Sequence, residues 1–411
     1  MTATQTANFR WYLVGVACWF AGFGMLLVLF PWLVAIELNE SPDRVGIAQM
    51  SMMLPTLFFV LIGGSLADRI GPRPVIVVAL AGCGLPPLLL AIAIGAGQLS
   101  YAGLIVFAFV IGTVQSFVTP AREAILPRVA PGSIQRAIGA VVFVMFGIQI
   151  VGFLIAGTAD HVGPVPLVLL QGAITAFGAV AFAKLKLPAW QVPARAETGA
   201  LRGFIDSYAT VLRVRELRPV IALNMCIGVA FMGAFTVGIP LLIREHHAGT
   251  PTQIALANVA NTFGIIVCVA VQMRAPSIRR CGRALLLGLA GGAVVLGLMA
   301  FPLPYYGFLG LTFVWGLFGG VSITMGRTLV QELAPESHRT RVMALYTLAF
   351  LGGAPVGSLT MGYSVDWFGA LHAMLVPATG MLALCLLIAW RTDLWQLQSH
   401  FAPTPTEEPA R

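Results

Sequence analysis

Charged residues are scarce in this sequence of 411 residues: Asp, Glu, Lys and Arg together make up 10%, against about 25% in a typical soluble globular protein. The alternation of apolar and polar residues that marks half-buried strands is also missing. Apolar residues make up 58% of the chain and occur in blocks of about 20, the length that crosses a hydrocarbon layer. These features exclude a soluble enzyme, a disordered protein and a small disulfide-stabilised domain. They predict a polytopic all-α membrane protein.

Lysines and paired cysteines are also missing. The only lysines are Lys184 and Lys186, and neither follows a glycine as the lysine of a Walker A loop does. The six cysteines show no CxxC or Cys/His spacing, so neither a disulfide framework nor a zinc site is indicated. HExxH and GxSxG motifs are absent as well. We therefore expect no catalytic residues, no metal and no cofactor, and we predict that the protein is not an enzyme.

The apolar blocks, separated by Pro, Gly and charged residues, predict twelve membrane spans. Six precede and six follow the longest polar segment. The predicted spans are 11–36, 45–66, 74–95, 99–126, 134–157, 165–182, 220–243, 253–273, 284–301, 305–330, 342–363 and 371–390.

The basic residues predict how these spans are oriented. With the N-terminus in the cytoplasm, 22 of the 24 basic residues lie on the cytoplasmic side, and only Arg44 and Arg244 lie outside. Such an excess is the positive-inside pattern of bacterial membrane proteins. A net charge of +8 could suggest nucleic-acid binding, but its placement between apolar blocks indicates topology instead. We predict an inner-membrane protein with both termini in the cytoplasm and no nucleic-acid partner.

Four segments follow from this division. Residues 1–183 form an N-terminal six-helix bundle, 184–218 a cytoplasmic linker, 219–391 a C-terminal six-helix bundle and 392–411 a cytoplasmic tail. Within the linker, apolar residues at helical spacing between 201 and 212 predict an amphipathic helix on the membrane surface. The alternative is a helical linker without a separate role.

The two halves of the chain resemble each other. Ala130-Pro131-Gly132-Ser133 after span four matches Ala334-Pro335-Glu336-Ser337 after span ten, and Arg122 and Arg327 occupy equivalent positions near the inner ends of these spans. Parallel six-helix repeats of this kind are common in transporters, with a substrate site between them near the midplane.

A ten-residue segment between spans two and three is more specific. It reads Gly64-Ser65-Leu66-Ala67-Asp68-Arg69-Ile70-Gly71-Pro72-Arg73. The segment resembles the loop G-x-L-A-D-R-x-G-R-R of the major facilitator superfamily, and the resemblance covers essentially the whole chain. Pro72 departs from the basic residue usual in that family, and the equivalent loop in the second half, residues 279–283, has no Asp.

The resemblance implies two pseudo-symmetric six-helix bundles and transport by alternating access. It also implies that this gating loop lies against the start of span eleven, where Asp68 stabilises the outward-facing state. A carboxylate suits that place because a helix N-terminus carries a partial positive charge. The residues implied in gating are Gly64, Asp68, Arg69, Gly71, Arg73, Arg339 and Arg341.

Residues 120–131 and 203–218 further resemble the branch that contains enterobactin exporters and macrolide-efflux proteins. By contrast, the fifth-span antiporter motif lacks its proline in Gly147-Ile148-Gln149-Ile150-Val151-Gly152, and the fourth span has no Arg between 104 and 118. Export is therefore implied by resemblance, whereas proton antiport has weak support.

No Asp, Glu, Lys, Arg or His falls in the central part of a span, although ionisable residues there commonly mark transport sites. Glu123 beside Arg122, and then Glu37, are the candidate coupling carboxylates, with Arg327 as the second-half equivalent of Arg122. Candidate cavity residues are Gln115, Gln149, Asn258, Asn261 and Trp315. The polar ones could equally form interhelical hydrogen bonds.

The sequence thus predicts a secondary transporter of a small, largely apolar, drug- or siderophore-like molecule, working by alternating access in the direction of efflux. Its expected partners are this substrate, protons and the lipid bilayer, and the expected state is a monomer. The alternatives are uptake or facilitated diffusion of a nutrient and, from another class, a transporter-like membrane sensor.

Overall fold

The structure, a computed structural model, describes residues 3–131, 134–188, 190, 214–247, 249–274, 278–335 and 339–397. Side chains at positions 3–5, 61, 134, 135, 340 and 341 lie outside this description. The amphipathic helix expected between 201 and 212 also falls outside it, as does the end of the tail.

The described residues form twelve long helical segments, numbered here in chain order. Two of them, α3 and α7, consist of consecutive shorter helices that continue one another. The segments are α1 (Ala3–Trp32, continued by π-helical turns Leu33–Glu37), α2 (Pro42–Ile70), α3 (Pro72–Gly95), α4 (Tyr101–Val129), α5 (Ile134–Gly157), α6 (Pro164–Ala183), α7 (Leu217–His246), α8 (Pro251–Arg274), α9 (Cys281–Leu298), α10 (Tyr305–Leu333), α11 (Arg339–Ala373) and α12 (Leu375–Arg391).

Most of these helices are long and apolar enough to cross a membrane. Ten segments of the described chain are long and apolar enough to cross a membrane. The number becomes eleven when the two parts of α2, which are bent by 48° on either side of residue 61, are taken as one span. The remaining helix, α12, is apolar but has only 17 residues. Large apolar side chains such as Phe143 (77% exposed) and Leu386 (70% exposed) point away from the protein. Such a surface suits lipid rather than water, and the architecture agrees with the predicted all-α, twelve-span fold.

The helices pack as two groups of six. In the first half α1 packs against α5 and α6, and α2 packs against α4; in the second half α7 packs against α11, and α8 and α9 pack against α10. The two groups meet mainly through two helix pairs, α2 with α11 and α5 with α8, and α1 adds contacts with α7 and α8. This pairing places the two repeats side by side, with their contact surfaces along the middle of the molecule.

The molecule has two ends, which we name by their residues. The basic end, where α1 begins, carries Arg69, Arg122 and Arg327, whereas the distal end carries Arg44 and Arg244. The alternating direction of the helices therefore separates the basic residues as the sequence predicted.

Two details differ from the sequence-based boundaries. The break expected between 363 and 371 is confined to Gly369, whose φ of 74° interrupts an otherwise continuous helix from Arg339 to Ala373. Glycine adopts this left-handed conformation without the steric strain that a Cβ atom causes. The helix α2 also continues to Ile70, four residues beyond the predicted end. Polar residues at helix ends do not stop a helix, so hydropathy alone places these ends too early.

Candidate transport pathway and its two ends

Arg244, at the distal end of α7, connects the second bundle to the first. Its Nη1 donates hydrogen bonds to the backbone oxygens of Ala35, at 3.0 Å, and Glu40, at 2.7 Å. The Arg244 side chain is only 18% exposed. Ala35 lies in the π-helical turns that end α1, and the last carbonyls of a helix lack intrahelical donors. The guanidinium therefore caps α1 across the interface. From the sequence, Arg244 is distinguished only as one of two external basic residues.

The pair α5 and α8 is joined at the same end. The Thr252 hydroxyl lies 2.7 Å from the backbone oxygen of Gly157 and 2.8 Å from Oδ2 of Asp160, and it can donate to either. A Cβ atom on Gly157 would lie 2.8 Å from the Cβ of Ala255, so the glycine allows α5 and α8 to approach this closely. One turn further in, Asn258 donates to the backbone oxygen of Leu27 at 3.4 Å.

The pair α2 and α11 makes the third contact of the distal half. A Cβ atom on Gly46 would lie 2.7 Å from the backbone oxygen of Ser358 and 3.0 Å from the Cα of Gly362. Further along the same face of α2, the Met53 sulfur lies 3.7 Å from Ser358 Oγ, which can donate its one proton to it or to the backbone oxygen of Ala354 at 3.1 Å. Gln49 lies between them, 1% exposed, and its Oε1 has no hydrogen-bond partner in the described part of the chain. The close packing of this interface thus encloses one unsatisfied amide oxygen.

The gating loop lies at the basic end. Gly71 ends α2 with φ 94° and ψ 146°, a conformation that favours glycine. Arg73 donates to the backbone oxygen of Ala183, at the end of α6. Asp68 and Arg69 are exposed, and within the described residues the Asp68 carboxylate has no hydrogen-bond or ion-pair partner. Gly64, the first residue of the loop, has room around it, whereas the preceding Gly63 is tightly packed: its Cβ atom would lie 2.7 Å from the backbone oxygen of Ser116.

A tryptophan from beyond α6 covers this loop. The indole Nε1 of Trp190 donates to the backbone oxygen of Asp68 at 2.7 Å, and its ring lies 3.2 Å from where a Cβ on Gly71 would be. The guanidinium of Arg128 lies over the same ring, 5.0 Å from its centroid. Trp190 thus holds the start of the linker against the gating loop.

The predicted partners of Asp68 begin α11. The Arg339 Nε atom is buried without a hydrogen-bond partner among the described residues, and the Arg341 side chain lies outside the description. The loop and the helix start are thus each left with an unpaired group: a carboxylate on one and a guanidinium nitrogen on the other.

The coupling candidates have different surroundings. Arg122 is buried, with its side chain 10% exposed and its guanidinium 5.1 Å from the ring centroid of Phe20. Glu123 is 71% exposed and lies 3.7 Å from Arg122, while Glu37 and Arg327 are exposed at the ends of their helices.

The remaining cavity candidates separate into two groups. Asn261 donates to the backbone oxygen of Thr312 at 3.4 Å, so it joins α8 to α10 as Asn258 joins α8 to α1. Trp315 is 5% exposed and packs against Phe231 and Phe235, with ring centroids 5.8 and 6.3 Å away. Gln149 and Gln115 are only half-buried, and Gln115 lines a small internal cavity of the first bundle.

No group of three or more His, Cys, Asp or Glu side chains in the described residues is arranged to hold a metal ion. The site consists of two interfaces between bundles, closed at the distal end, and a gating loop at the basic end. Such a geometry can bind and release a molecule by rocking the bundles.

Comparison with known proteins also indicates a membrane transporter. The family model described as Major Facilitator Superfamily matches residues 12–278 and 221–408. The multidrug efflux pump Tap of Mycobacterium tuberculosis is 27% identical over 396 residues, covering 91% of this chain and 92% of Tap. The staphyloferrin A transporter of Staphylococcus aureus is 22% identical over 386 residues, 90% of this chain and 94% of that protein.

Among solved structures, the nucleoside transporter NupG superposes with a TM-score of 0.72 at 12% identity, covering 95% of this chain and 99% of NupG. That similarity supports the fold alone. The family match covers both six-helix halves, and the relatives are carriers that align over nearly their full length. The chain therefore belongs to the major facilitator superfamily and is a multi-pass membrane transporter of small molecules, not an enzyme.

Proposed function

We propose that this transporter exports a small, largely apolar organic molecule across the bacterial inner membrane by alternating access. The observation that carries the proposal is the one-sided contact between the bundles. Arg244, Thr252, Asn258 and Ser358 all make their cross-bundle hydrogen bonds in the distal half. A carrier closed at one end releases or accepts its substrate at the other, and two packings of comparable energy allow it to switch.

The cores of the two halves agree with this interpretation. One apolar cluster runs continuously from Phe30 and Trp32 of α1 into Val237 and Ile254 of the second bundle. A second cluster, around Tyr12, lies within the first bundle at the basic end and does not join it. The bundles therefore share a core at the distal end only. We take the distal end as the periplasmic side, so that this arrangement is open toward the cytoplasm.

In the opposite state we expect the gating loop to find its partners. Asp68 would then lie against the start of α11, where the helix N-terminus and Arg339 favour a carboxylate. The exposed Asp68 and the unpaired Arg339 Nε of the present arrangement support this exchange.

The proposed substrate class and direction of transport rest on the composition of the helices and on the similarity to Tap. The helices have no central ionisable residue, and a charged cargo would need one to offset its desolvation. The similarity to Tap, named as a multidrug efflux pump, supports outward movement of an apolar compound. Uptake or facilitated diffusion is the competing function within transport.

Transport by the full-length protein in proteoliposomes tests the proposal. A panel of neutral and cationic aromatic compounds is measured with and without a pH gradient, beside Asp68→Asn and the matched loop variant Arg69→Gln. We expect gradient-driven movement from the cytoplasmic to the periplasmic side and at least a tenfold loss in Asp68→Asn. Accumulation in the opposite direction would indicate uptake, equal rates without a gradient would indicate facilitated diffusion, and no transport of any compound would contradict the proposal.

Proton coupling, where present, is proposed to involve a carboxylate at a helix end. Glu123 is the first candidate, since Arg122 lies beside it at the inner end of α4, and Glu37 is the second. Glu123→Gln should abolish accumulation driven by a pH gradient and spare downhill flux, whereas Glu37→Gln serves as the comparison at the distal end. If both variants still accumulate substrate, this assignment is wrong.

The proposed orientation has a separate test. Cysteines replacing Ser41, at the start of α2, and Thr198, in the linker, are introduced into a background without native cysteines. Ser41→Cys should react with an impermeant maleimide in intact cells and Thr198→Cys only after permeabilisation. The reverse result would place the termini outside.

A further inference from the structure

The first bundle contains a small cavity of about 20 Å³ between α1, α3, α4 and α6. A cavity of about 10–15 Å³ on this measure already holds one water molecule, so this one accommodates a single polar group. The cavity is open on one side rather than enclosed. A small polar group can therefore enter it while the rest of the molecule stays at the opening.

Gln171 of α6 makes this cavity chemically unusual. Its side chain is 4% exposed and lines the cavity, and neither atom of its carboxamide has a hydrogen-bond partner in the part of the chain that the structure describes. The atoms of this carboxamide are not sealed off from the cavity, so they can bind a polar group that enters it. The sequence analysis did not select Gln171, because one glutamine within an apolar block has no distinguishing pattern.

A second carboxamide lines the same cavity from the other side. Gln115 of α4 is half-buried and also has no hydrogen-bond partner among the described residues. Thr175, one turn after Gln171, donates its hydroxyl proton to the backbone oxygen of Gln171 at 2.8 Å and keeps its lone pairs available. Each carboxamide offers both a donor and an acceptor. Together they complement a group that has both.

The remaining walls are small or aromatic. A Cβ atom on Gly22 would lie 2.2 Å from Thr175 Oγ1, so only glycine leaves this space between α1 and α6. Trp19 and Phe23 line the cavity with nearly parallel rings, 14° apart and 6.5 Å between centroids. No Asp, Glu, Lys, Arg or His lines it, so a charged ligand group would be buried without a counter-ion, which is unfavourable.

We propose that this cavity binds an uncharged donor-and-acceptor group of the substrate, of the carboxamide type, between Gln115 and Gln171. The aromatic pair Trp19 and Phe23 holds the apolar part attached to that group. This inference rests on the proposed transport function, because it assigns part of the substrate site of the same protein. It restricts the substrate class to neutral amides and similar compounds carrying an aromatic or apolar body.

Benzamide is a suitable probe, with benzoate and benzylamine as charged compounds of the same size. Ligand-induced increases in Tm of the purified full-length protein give the relative affinities, because a ligand that binds only the folded state stabilises it in proportion to its affinity. The variant Gln171→Met removes the carboxamide at nearly constant volume and breaks no hydrogen bond. The matched control Gln98→Met makes the same change at an exposed position outside the cavity.

We expect benzamide to raise the Tm of the wild type and of Gln98→Met equally, and to bind Gln171→Met about 3- to 10-fold more weakly, the effect of one neutral hydrogen bond. Benzoate and benzylamine should produce no comparable shift. Equal benzamide affinity in Gln171→Met and Gln98→Met, no benzamide shift in the wild type, or equal shifts with benzoate would each overturn the proposal.

Failure of the transport function would look different. In that case no panel compound moves in proteoliposomes, although benzamide still binds in a manner that depends on Gln171. Conversely, transport of neutral amides by the wild type at rates unchanged in Gln171→Met would leave the transporter in place and contradict this subsite.

Discussion

The distal and basic ends of this transporter are built from the same kinds of helix but are held together differently. At the distal end, Arg244 caps α1, Thr252 joins α8 to α5, and Gly46 allows α2 to pack directly on α11. At the basic end, Asp68 is exposed and the Nε of Arg339 is unpaired among the described residues. In this arrangement the polar groups at the distal end are paired and those of the gating loop are not, which is the pattern that the proposed alternating access predicts.

The largest expected effect is on the distal end itself. Arg244→Met keeps much of the packing but removes a buried guanidinium that makes two hydrogen bonds to backbone oxygens. Hydrogen bonds to charged groups are each worth about 1.5–3 kcal/mol, so we expect the equilibrium to shift toward the state open at the distal end by roughly tenfold or more. Spin labels at Gln98 and Tyr306, one on each bundle at this end, should move apart in double electron–electron resonance.

Arg44→Met is the matched control for that experiment. Arg44 is a basic residue at the same end, but it is 52% exposed and pairs with Glu40 of its own bundle at 2.7 Å. An exposed ion pair contributes about 0–1 kcal/mol, so the label distance should stay as in the wild type. Equal shifts in both variants would show that positive charge at this end matters, rather than the contact to α1.

A second variant opens the same end by steric means. In Gly46→Ala the new Cβ atom would lie 2.7 Å from the backbone oxygen of Ser358, and backbone atoms on both sides leave little room to adjust. Overpacking of this kind costs about 1–3 kcal/mol. The distal label distance should increase, and transport should slow. Gly82→Ala, where nothing lies within 4 Å of the new Cβ, should behave as the wild type.

The opposite shift is expected at Gln49. Its Oε1 is buried without a partner while the distal end is closed, so Gln49→Met removes an unsatisfied acceptor and should stabilise this state by about 1 kcal/mol. The distal labels should report a larger closed fraction, and substrate exchange should slow. A larger open fraction would mean that Gln49 makes a stabilising contact there.

The smallest effect is a dependence on pH. Burial against Tyr305 and Phe308, with ring centroids 5.3 and 5.6 Å away, lowers the pKa of His247 below its usual 6.5, and His246 lowers it further. The unfolded chain therefore binds a proton at His247 more readily than the folded chain does. The contribution of neutral His247 to the stability of the fold is fully present above pH 6.5 and is lost as the pH falls through the lowered pKa.

Measured Tm values should therefore decrease on acidification from pH 7.5 to 5.5, with a smaller decrease in His247→Phe. His372→Phe, a substitution of another histidine at the distal end, is the control. An identical pH dependence in the wild type and in His247→Phe would contradict this role.

The sequence was sufficient for the architecture and for one local motif. Blocks of about 20 apolar residues indicate spans because a helix must cover the hydrocarbon thickness, and the gating loop is contiguous in sequence. The distal contacts are of another kind: Arg244 and Ala35 are 209 residues apart, and no periodicity connects them. The contact of Trp190 with the gating loop and the position of Gln171 in a cavity could not be predicted for the same reason, since a single side chain becomes informative only beside its neighbours in space.

We infer that closure of the distal end and closure of the basic end exclude each other. Double electron–electron resonance on the full-length protein in lipid nanodiscs tests it with two label pairs, Gln98 with Tyr306 at the distal end and Arg136 with Arg274 at the basic end. We expect Arg244→Met to lengthen the distal distance and to shorten the basic distance together. A basic-end distance that stays constant, or lengthens, while the distal end opens would contradict it.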